Sequence, residues 1–204
     1  MRKPKRLIFA LAGLMVAAGT VLGTAAPAAA YSSDAPLYWD GPIVNYGSGM
    51  CLEPVPGDDG ILGVNGLPIQ QSWCDSSVPQ QQWHAELIGH TTFNGIQSGI
   101  FLIVNDQTGT CLDDRDGRTS DWSPVQQWTC TTASTTMQWM MGTGDGNGYN
   151  PLVNMRAVRN GGSACLDVAY GSGEAGAALQ LYHCTVGNPA QKFLHPIMLY
   201  FPPL

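Results

Sequence analysis

The sequence is poor in charge, and above all in positive charge. Only 12% of its 204 residues are charged, and four of the nine basic residues lie within the first six positions. The other five basic residues stand against fifteen acidic residues, all within positions 31–204, which gives that part a formal charge of −10. Such a surface repels phosphate groups, so we expect neither nucleic acid nor an anionic membrane as a partner.

Helical patterns and catalytic motifs are also missing. After residue 30 there is no amphipathic helical stripe of useful length, while Gly, Ser, Thr, Asn and Gln are frequent, which favours short strands joined by turns. Nothing resembles a Ser-His-Asp set, a cysteine nucleophile, an HExxH helix or a CxxC metal site. The segment Asp113–Gly117 lacks the later ligands of a calcium loop and is interpreted as an acidic turn. We therefore predict no metal, no other cofactor and no enzymatic activity.

Residues 1–30 have the organisation of a secretory signal peptide. Basic residues at positions 2 to 6 precede an apolar segment from Leu7 to Gly23, and Ala28 to Ala30 supply small residues before a cleavage point. A membrane anchor is the alternative, but the apolar segment is short for a bilayer span and is diluted by Ala and Gly. We expect a secreted, extracellular protein in which residues 31–204 form a single domain without membrane association.

One pattern of landmarks occurs three times after this segment. Each copy has a Cys-Leu-acid segment, then a Gln-containing apolar segment that leads to a second cysteine, then a glutamine close to an aromatic residue. The first cysteines, Cys51, Cys111 and Cys165, are 60 and 54 residues apart. A polar residue six positions before each of them, preceded by valine, is Asn45, Asn105 or Arg159. Because a repeat decides the fold, each residue can be compared with its counterparts.

The three copies together resemble the ricin B-chain lectin family, whose fold is a β-trefoil. The resemblance covers about residues 41–195. It implies an all-β fold of about twelve strands, with a short barrel closed by three hairpins and repeats at about 41–84, 100–140 and 151–195. Six cysteines allow fifteen pairings. The repeat selects pairing within each unit, namely Cys51–Cys74, Cys111–Cys130 and Cys165–Cys184.

The resemblance also implies sugar sites on the repeats. Alternation along a strand places the glutamine and the aromatic residue on one face, and the disulfide holds them beside the Cys-Leu-Asp strand. In the family the aspartate accepts two sugar hydroxyls, the aromatic ring stacks on the sugar, the strand glutamine adds hydrogen bonds and the later glutamine steadies the aspartate. Carried over to this chain, the third repeat supplies Asp167, Gln180, Tyr182 and Gln191, and the second supplies Asp113, Gln126, Trp128 and Gln138.

The repeats depart from the family pattern at several positions. Ala190 and Met137 stand where the family has an Asn before the later glutamine, which removes one hydrogen bond to the sugar. The first repeat has Glu53 in place of Asp and Ser72 at the stacking position, so we interpret it as structural.

Some landmarks have a structural alternative. The aromatic residues Trp83 and Phe193 are expected in the core. For Gln138 and Gln191, hydrogen bonds to the backbone of the turn explain the residue as well as a ligand role does.

The leading prediction is a monomeric secreted lectin that binds galactose-type or related neutral sugars through shallow sites on repeats two and three. Xylose and arabinose polymers fit the same chemistry. The alternative is a secreted protein-binding trefoil such as a protease inhibitor, with the loop from Pro54 to Pro68 as its reactive segment. A glycosidase would need a second carboxylate at a suitable distance from Asp113 or Asp167, and each repeat offers one.

Overall fold

The computed structural model describes residues 37–144 and 148–195, so the predicted signal peptide lies outside the described residues. Within these ranges no helix has the length and apolar character needed to cross a membrane. The described residues form fourteen strands and one short α-helix, α1 (Met155–Arg159). The strands are β1 (Leu37–Gly41), β2 (Val44–Asn45), β3 (Cys51–Pro54), β4 (Ile69–Ser72), β5 (Trp83–Phe93), β6 (Ile96–Asn105), β7 (Thr110–Asp114), β8 (Ser123–Thr129), β9 (Trp139–Met141), β10 (Tyr149–Asn150), β11 (Leu152–Asn154), β12 (Ala164–Val168), β13 (Leu179–His183) and β14 (Phe193–Leu194).

Antiparallel pairing closes a barrel. Strand β1 pairs with β5, β5 with β6, β6 with β9, and β9 with β11. The ring is completed by β10 with β14 and β14 with β2. Strands β1 and β2 are two parts of one barrel strand, as are β10 and β11. This is why the described residues contain fourteen strands where the repeat predicts about twelve.

Three hairpins cap the barrel, one from each repeat. They are β3–β4, β7–β8 and β12–β13. Each hairpin touches the next, through the β8–β13 pairing and through the bridges Pro68–Gln126 and Gln70–Ala178. The loop that precedes the second strand of one hairpin therefore lies against the hairpin of the next repeat, and this contact shapes the candidate sites.

The core repeats with the same threefold pattern. Trp83, Trp139 and Phe193, the first residues of β5, β9 and β14, are fully buried, as predicted for Trp83 and Phe193. The indole Nε1 of Trp83 donates to the carbonyl of Leu52 at 2.9 Å, and Nε1 of Trp139 donates to the carbonyl of Leu112 at 2.9 Å. Each indole thereby links the barrel to the hairpin of its own repeat through a hydrogen bond.

The predicted disulfides are confirmed. Cys51–Cys74, Cys111–Cys130 and Cys165–Cys184 each join the first strand of a hairpin to a cysteine one or two residues beyond its second strand. Each crosslink closes a loop of roughly twenty residues, which stabilises the fold by about 3 kcal/mol, mainly by restricting the unfolded chain.

The prediction that Arg159 is the counterpart of Asn45 and Asn105 is wrong, because that residue is Asn154. Val153 pairs with Cys165 as Val104 pairs with Cys111. The Asn154 side chain donates to the carbonyl of Thr136 at 2.8 Å, and it is fully buried. The five-residue helix α1 is inserted after it, which moves the cysteine further along the chain.

Candidate functional site

The third repeat places a carboxylate and an amide side by side on its hairpin. Asp167 on β12 pairs in register with Gln180 on β13, and Gln180 Nε2 donates to Asp167 Oδ1 at 2.9 Å. Asn188 Nδ2 lies 3.5 Å from Asp167 Oδ2, at the outer limit of a hydrogen bond. These contacts hold the carboxylate in one orientation.

A cavity of about 350 Å³ opens above this pair. Its lining includes Asp167, Gln180, Tyr182 and Asn188. Strand alternation directs Tyr182 to the same face as Gln180, while Leu179 and Leu181 are buried in the core. A flat aromatic ring beside a carboxylate and amides can bind the C–H face and the hydroxyls of a sugar.

The electrostatics of Asp167 follow from its burial. Desolvation raises the pKa of this carboxyl above its usual value of 3.8, and hydrogen bonds from Gln180 and Gln191 act in the opposite direction. Gln191 also donates from Nε2 to the carbonyl of His183 at 3.0 Å and accepts from the amide of Thr185 at 2.8 Å. It therefore steadies both the aspartate and the turn.

The second repeat has the same pair, but the protein's own groups occupy it. Gln126 Nε2 donates to Asp113 Oδ2 at 2.7 Å, and Thr136 Oγ1 donates to Asp113 Oδ1 at 2.5 Å. Arg115 Nε donates to Gln126 Oε1 at 2.9 Å. Both carboxylate oxygens and the amide oxygen are thus already engaged. Trp128 keeps 42% of its surface exposed beside them.

A loop of the first repeat packs over this second-repeat pair. Gly66 donates its amide to the carbonyl of Gln127 at 2.9 Å, and its own carbonyl accepts from the Arg115 guanidinium. Asn65 Oδ1 accepts from the amide of Thr129 at 2.7 Å. In the third repeat, Ala169 stands at the position of Arg115, two residues after the aspartate, so no guanidinium reaches the amide.

The prediction for Gln138 is wrong by one residue. The short 3₁₀ turn ends at Gln81 and Gln191 in repeats one and three but at Met137 in repeat two. In the third repeat, the backbone amide of Thr185 donates to the side-chain oxygen of Gln191. The equivalent amide in the second repeat, that of Thr131, lies 3.2 Å from Met137 Sδ. Gln138 instead donates to the carbonyl of Thr132 at 2.8 Å and accepts from Arg159 at 3.0 Å. These contacts match the structural alternative for Gln138, in which the side chain binds the backbone of the turn.

The first repeat retains the polar pair without an aromatic partner. Glu53 Oε1 accepts from Gln70 Nε2 at 3.0 Å, and Oε2 accepts from Gln81 Nε2 at 2.9 Å. Ser72 stands at the position of Tyr182, so no ring is available for stacking.

The structure adds three residues to the third-repeat site. Trp122, Tyr170 and Asn188 all line its cavity. Trp122 belongs to the second repeat, and Tyr170 lies in the turn after β12, so neither falls within the sequence landmarks. Asn188, two residues before Ala190, has the side-chain amide that the family pattern places at position 190. The signal that could have identified Trp122 and Tyr170 is an aromatic residue in a turn close to the landmarks.

Comparison with known proteins agrees with this architecture. A family model described as "Ricin-type beta-trefoil lectin domain-like" matches residues 91–182, from the end of β5 to Tyr182. No curated protein matches the chain.

Solved structures share the fold. The designed threefold-symmetric protein ThreeFoil is 23% identical, with a TM-score of 0.61 over 78% of this chain and 99% of that one. An exo-β-1,3-galactanase from Clostridium thermocellum is 26% identical, with a TM-score of 0.61 over 82% of this chain but only 31% of the galactanase. The C-terminal half of an earthworm R-type lectin, solved with GalNAc, is 16% identical, with a TM-score of 0.52 over 78% of this chain and 98% of that one.

The matching family model agrees with the repeated Cys-Leu-acid hairpins and with the barrel that they cap. Over residues 91–182 the chain is similar to the ricin-type β-trefoil lectin-like proteins, and its fold is a β-trefoil.

Proposed function

We propose that this protein is a carbohydrate-binding lectin whose open site lies on the third repeat. The observation that carries the proposal is the Asp167–Gln180 pair in a cavity that Tyr182 also lines. In the bound state, Asp167 accepts hydrogen bonds from two neighbouring sugar hydroxyls. Gln180 and Asn188 contribute amide groups, and the ring of Tyr182 covers the apolar face of the sugar.

The ligand in this proposal is a galactose-type or related neutral sugar. A single carboxylate with an aromatic platform suits a ring that combines one apolar face with adjacent hydroxyls. Two similar structures support the choice, since one is a β-1,3-galactanase and another was solved with GalNAc. Xylose- and arabinose-based glycans offer the same groups and belong in the test.

The proposal narrows the predicted sites from two repeats to one. In the second repeat, Thr136 and Gln126 occupy both oxygens of Asp113, and Arg115 occupies the amide oxygen of Gln126. A sugar hydroxyl would have to displace these groups, so we propose that this pair is closed in the native protein.

Other activities find less support in the geometry. Among the described residues, Asp167 is the one carboxylate that lines the third-repeat cavity, whereas glycoside hydrolysis in most families requires two. The loop proposed as a protease-inhibitor segment is fastened to the second repeat through Asn65 and Gly66. We therefore propose a non-enzymatic lectin and retain the signal peptide at residues 1–30, which makes the lectin a secreted protein.

The test is binding of the purified protein to a panel of neutral glycans, with Tyr182→Ala and Trp128→Ala as a matched pair. Both variants remove an aromatic ring from the same position of a hairpin. The proposal expects binding by the wild type and by Trp128→Ala, and a loss of at least tenfold in Tyr182→Ala. Absence of binding by the wild type, or an equal loss in both variants, would contradict it.

A further inference from the structure

The third-repeat site contains a tryptophan from the neighbouring repeat at a position where the other two repeats have glycine. The Trp122 amide donates to the carbonyl of Leu181 on β13 at 2.8 Å. At the corresponding contacts, Gly66 donates to Gln127 at 2.9 Å and Gly176 donates to Gln71 at 2.8 Å. Threefold symmetry thus makes Trp122, Gly66 and Gly176 equivalent.

The backbone at this position favours glycine. Gly66 and Gly176 have φ angles of +90° and +86°, and Trp122 has a φ of +64°. A bulky side chain is rare in this left-handed region because its Cβ crowds the backbone. The chain therefore accepts local strain to place an indole here, and strain of this kind is concentrated at functional sites.

Core packing does not explain the indole. Trp122 is 61% exposed, and its ring lies against the cavity rather than among the buried residues of the barrel. Tyr170 shows the same combination on another part of the cavity lining, since its φ is +57° and it is 91% exposed. Two large, exposed rings thus line one cavity.

The two rings on the Trp122 side form a corner. The ring centroids of Trp122 and Tyr182 are 5.6 Å apart, and the ring planes meet at 68°. A sugar ring stacks with its face parallel to the aromatic plane, and two planes that meet at 68° cannot both be parallel to it, so one sugar can stack on one of these rings but not on both. The second surface is available for the next sugar of a chain.

We propose that Trp122 forms a second sugar subsite, so that the ligand of the third repeat is an oligosaccharide of at least two sugars. This inference rests on the proposed lectin function and on Tyr182 as the platform for the first sugar. Because the two surfaces are steeply inclined, the site favours glycans in which each sugar ring is rotated relative to the ring before it. Flat, ribbon-like chains fit it less well. Tyr170 borders the same cavity and narrows the approach.

The experiment is calorimetric titration of the full-length mature protein with mono-, di- and trisaccharides of β-1,3-galactan, β-1,4-galactan, β-1,4-xylan and α-1,5-arabinan. Wild type is compared with Trp122→Gly, which installs the residue of the other two repeats and relieves the backbone strain. Trp73→Thr is the control, because Trp73 is an exposed tryptophan on the first repeat and Thr129 is its counterpart on the second. The thermal midpoint of each variant reports folding.

For the best-bound glycan, we expect wild type and Trp73→Thr to bind the disaccharide about tenfold more tightly than the monosaccharide. In Trp122→Gly the gain of the disaccharide over the monosaccharide should fall to about twofold or less, with an equal or higher thermal midpoint. An undiminished gain in Trp122→Gly, or equal affinity of the wild type for mono- and disaccharide, overturns the second subsite. If the wild type binds no glycan at all, the proposed lectin function itself fails.

Discussion

Arg115 donates from Nε to Oε1 of Gln126 at 2.9 Å, a contact that the second repeat has in addition to the Thr136 hydrogen bond to Asp113 and that the third repeat lacks. At the equivalent pair, the methyl group of Ala169 offers no hydrogen-bond donor to Gln180. Gln180 donates from Nε2 to Asp167, and its side chain lines the cavity. Two hairpins with the same Asp-Gln-aromatic sequence pattern therefore have different chemistry. In our proposal, the protein satisfies the pair of the second repeat, and the pair of the third repeat binds the ligand.

Removal of the guanidinium should open the second repeat. We expect Arg115→Ala to raise the binding stoichiometry for a short glycan from one towards two, with the new site weaker because Thr136 still occupies Asp113. Calorimetric titration measures this directly. Arg118→Ala is the control, since Arg118 lies on the same turn but pairs with the exposed Asp116 at 3.4 Å. A stoichiometry that stays at one in Arg115→Ala would show that the loop around Gly66, rather than the guanidinium, closes the pair.

Sugar binding should weaken in mild acid. Asp167 accepts hydroxyl hydrogen bonds best when it is ionised, and desolvation raises the pKa of this carboxyl above 3.8. Affinity should therefore decline as the pH falls, starting at a higher pH than for an ordinary aspartate. A titration of affinity between pH 7 and pH 4 tests this, with thermal midpoints recorded to show that the fold persists. Constant affinity down to pH 4 would contradict the role of Asp167 as the principal acceptor.

The buried Asp114 should make stability depend on pH. Desolvation raises the pKa of this fully buried carboxyl to about 7 in the folded state, against an ordinary value of 3.8. Between these values the folded state binds more protons than the unfolded state, so this group makes stability fall as the pH rises from about 4 to 7. Asp114→Asn should be more stable than wild type at pH 8, and the difference should shrink towards pH 4. Denaturant unfolding at both pH values measures it, and a difference that does not change with pH would contradict the account.

Glu86 and His195 also shape the wild-type pH profile, which is why the variant is compared with wild type at each pH. Burial raises the pKa of Glu86 to about 7 and lowers the pKa of His195 to about 4. The Glu86 contribution has the same sign as that of Asp114. His195 has the opposite sign, because its folded state binds fewer protons between about pH 4 and 6.5.

The indole of Trp139 should contribute through its hydrogen bond as well as its volume. Trp139→Phe leaves the buried carbonyl of Leu112 without the Nε1 donor and leaves a small cavity, so we expect a loss of about 1–3 kcal/mol in the free energy of unfolding. Phe193 occupies the equivalent position in the third repeat, so the variant should fold. Trp73→Phe, at an exposed position, should change stability by less than about 0.5 kcal/mol. Equal effects of the two substitutions would contradict the assigned hydrogen bond.

The three cysteine pairs and Cys-Leu-acid segments carry the family resemblance that predicts the fold, and their repetition at similar spacing predicts the disulfides. Register was harder to predict where a repeat departs from the pattern. In repeat two, Met137 replaces the glutamine of the turn and Gln138 follows it, so a search for glutamine chooses the wrong residue by one. In repeat three, the insertion of α1 moves Asn154 away from its expected distance to Cys165.

The contacts that decide which site is open could not be predicted within one repeat. Gly66 belongs to repeat one and acts on repeat two, and Trp122 belongs to repeat two and acts on repeat three. These residues meet their sites only because neighbouring hairpins touch around the threefold axis. The sequence pattern describes each repeat by itself and contains no sign of this exchange.

The measurement that tests the central claim most directly is calorimetric titration of the best-bound glycan into wild type, Asp167→Asn and Asp113→Asn. Both substitutions replace a buried carboxylate with an amide of the same shape at equivalent positions of two hairpins. The account predicts that Asp167→Asn loses binding by at least tenfold while Asp113→Asn binds as wild type does, with both variants folded. Loss of binding in Asp113→Asn with retention in Asp167→Asn would contradict the assignment of the open site to the third repeat.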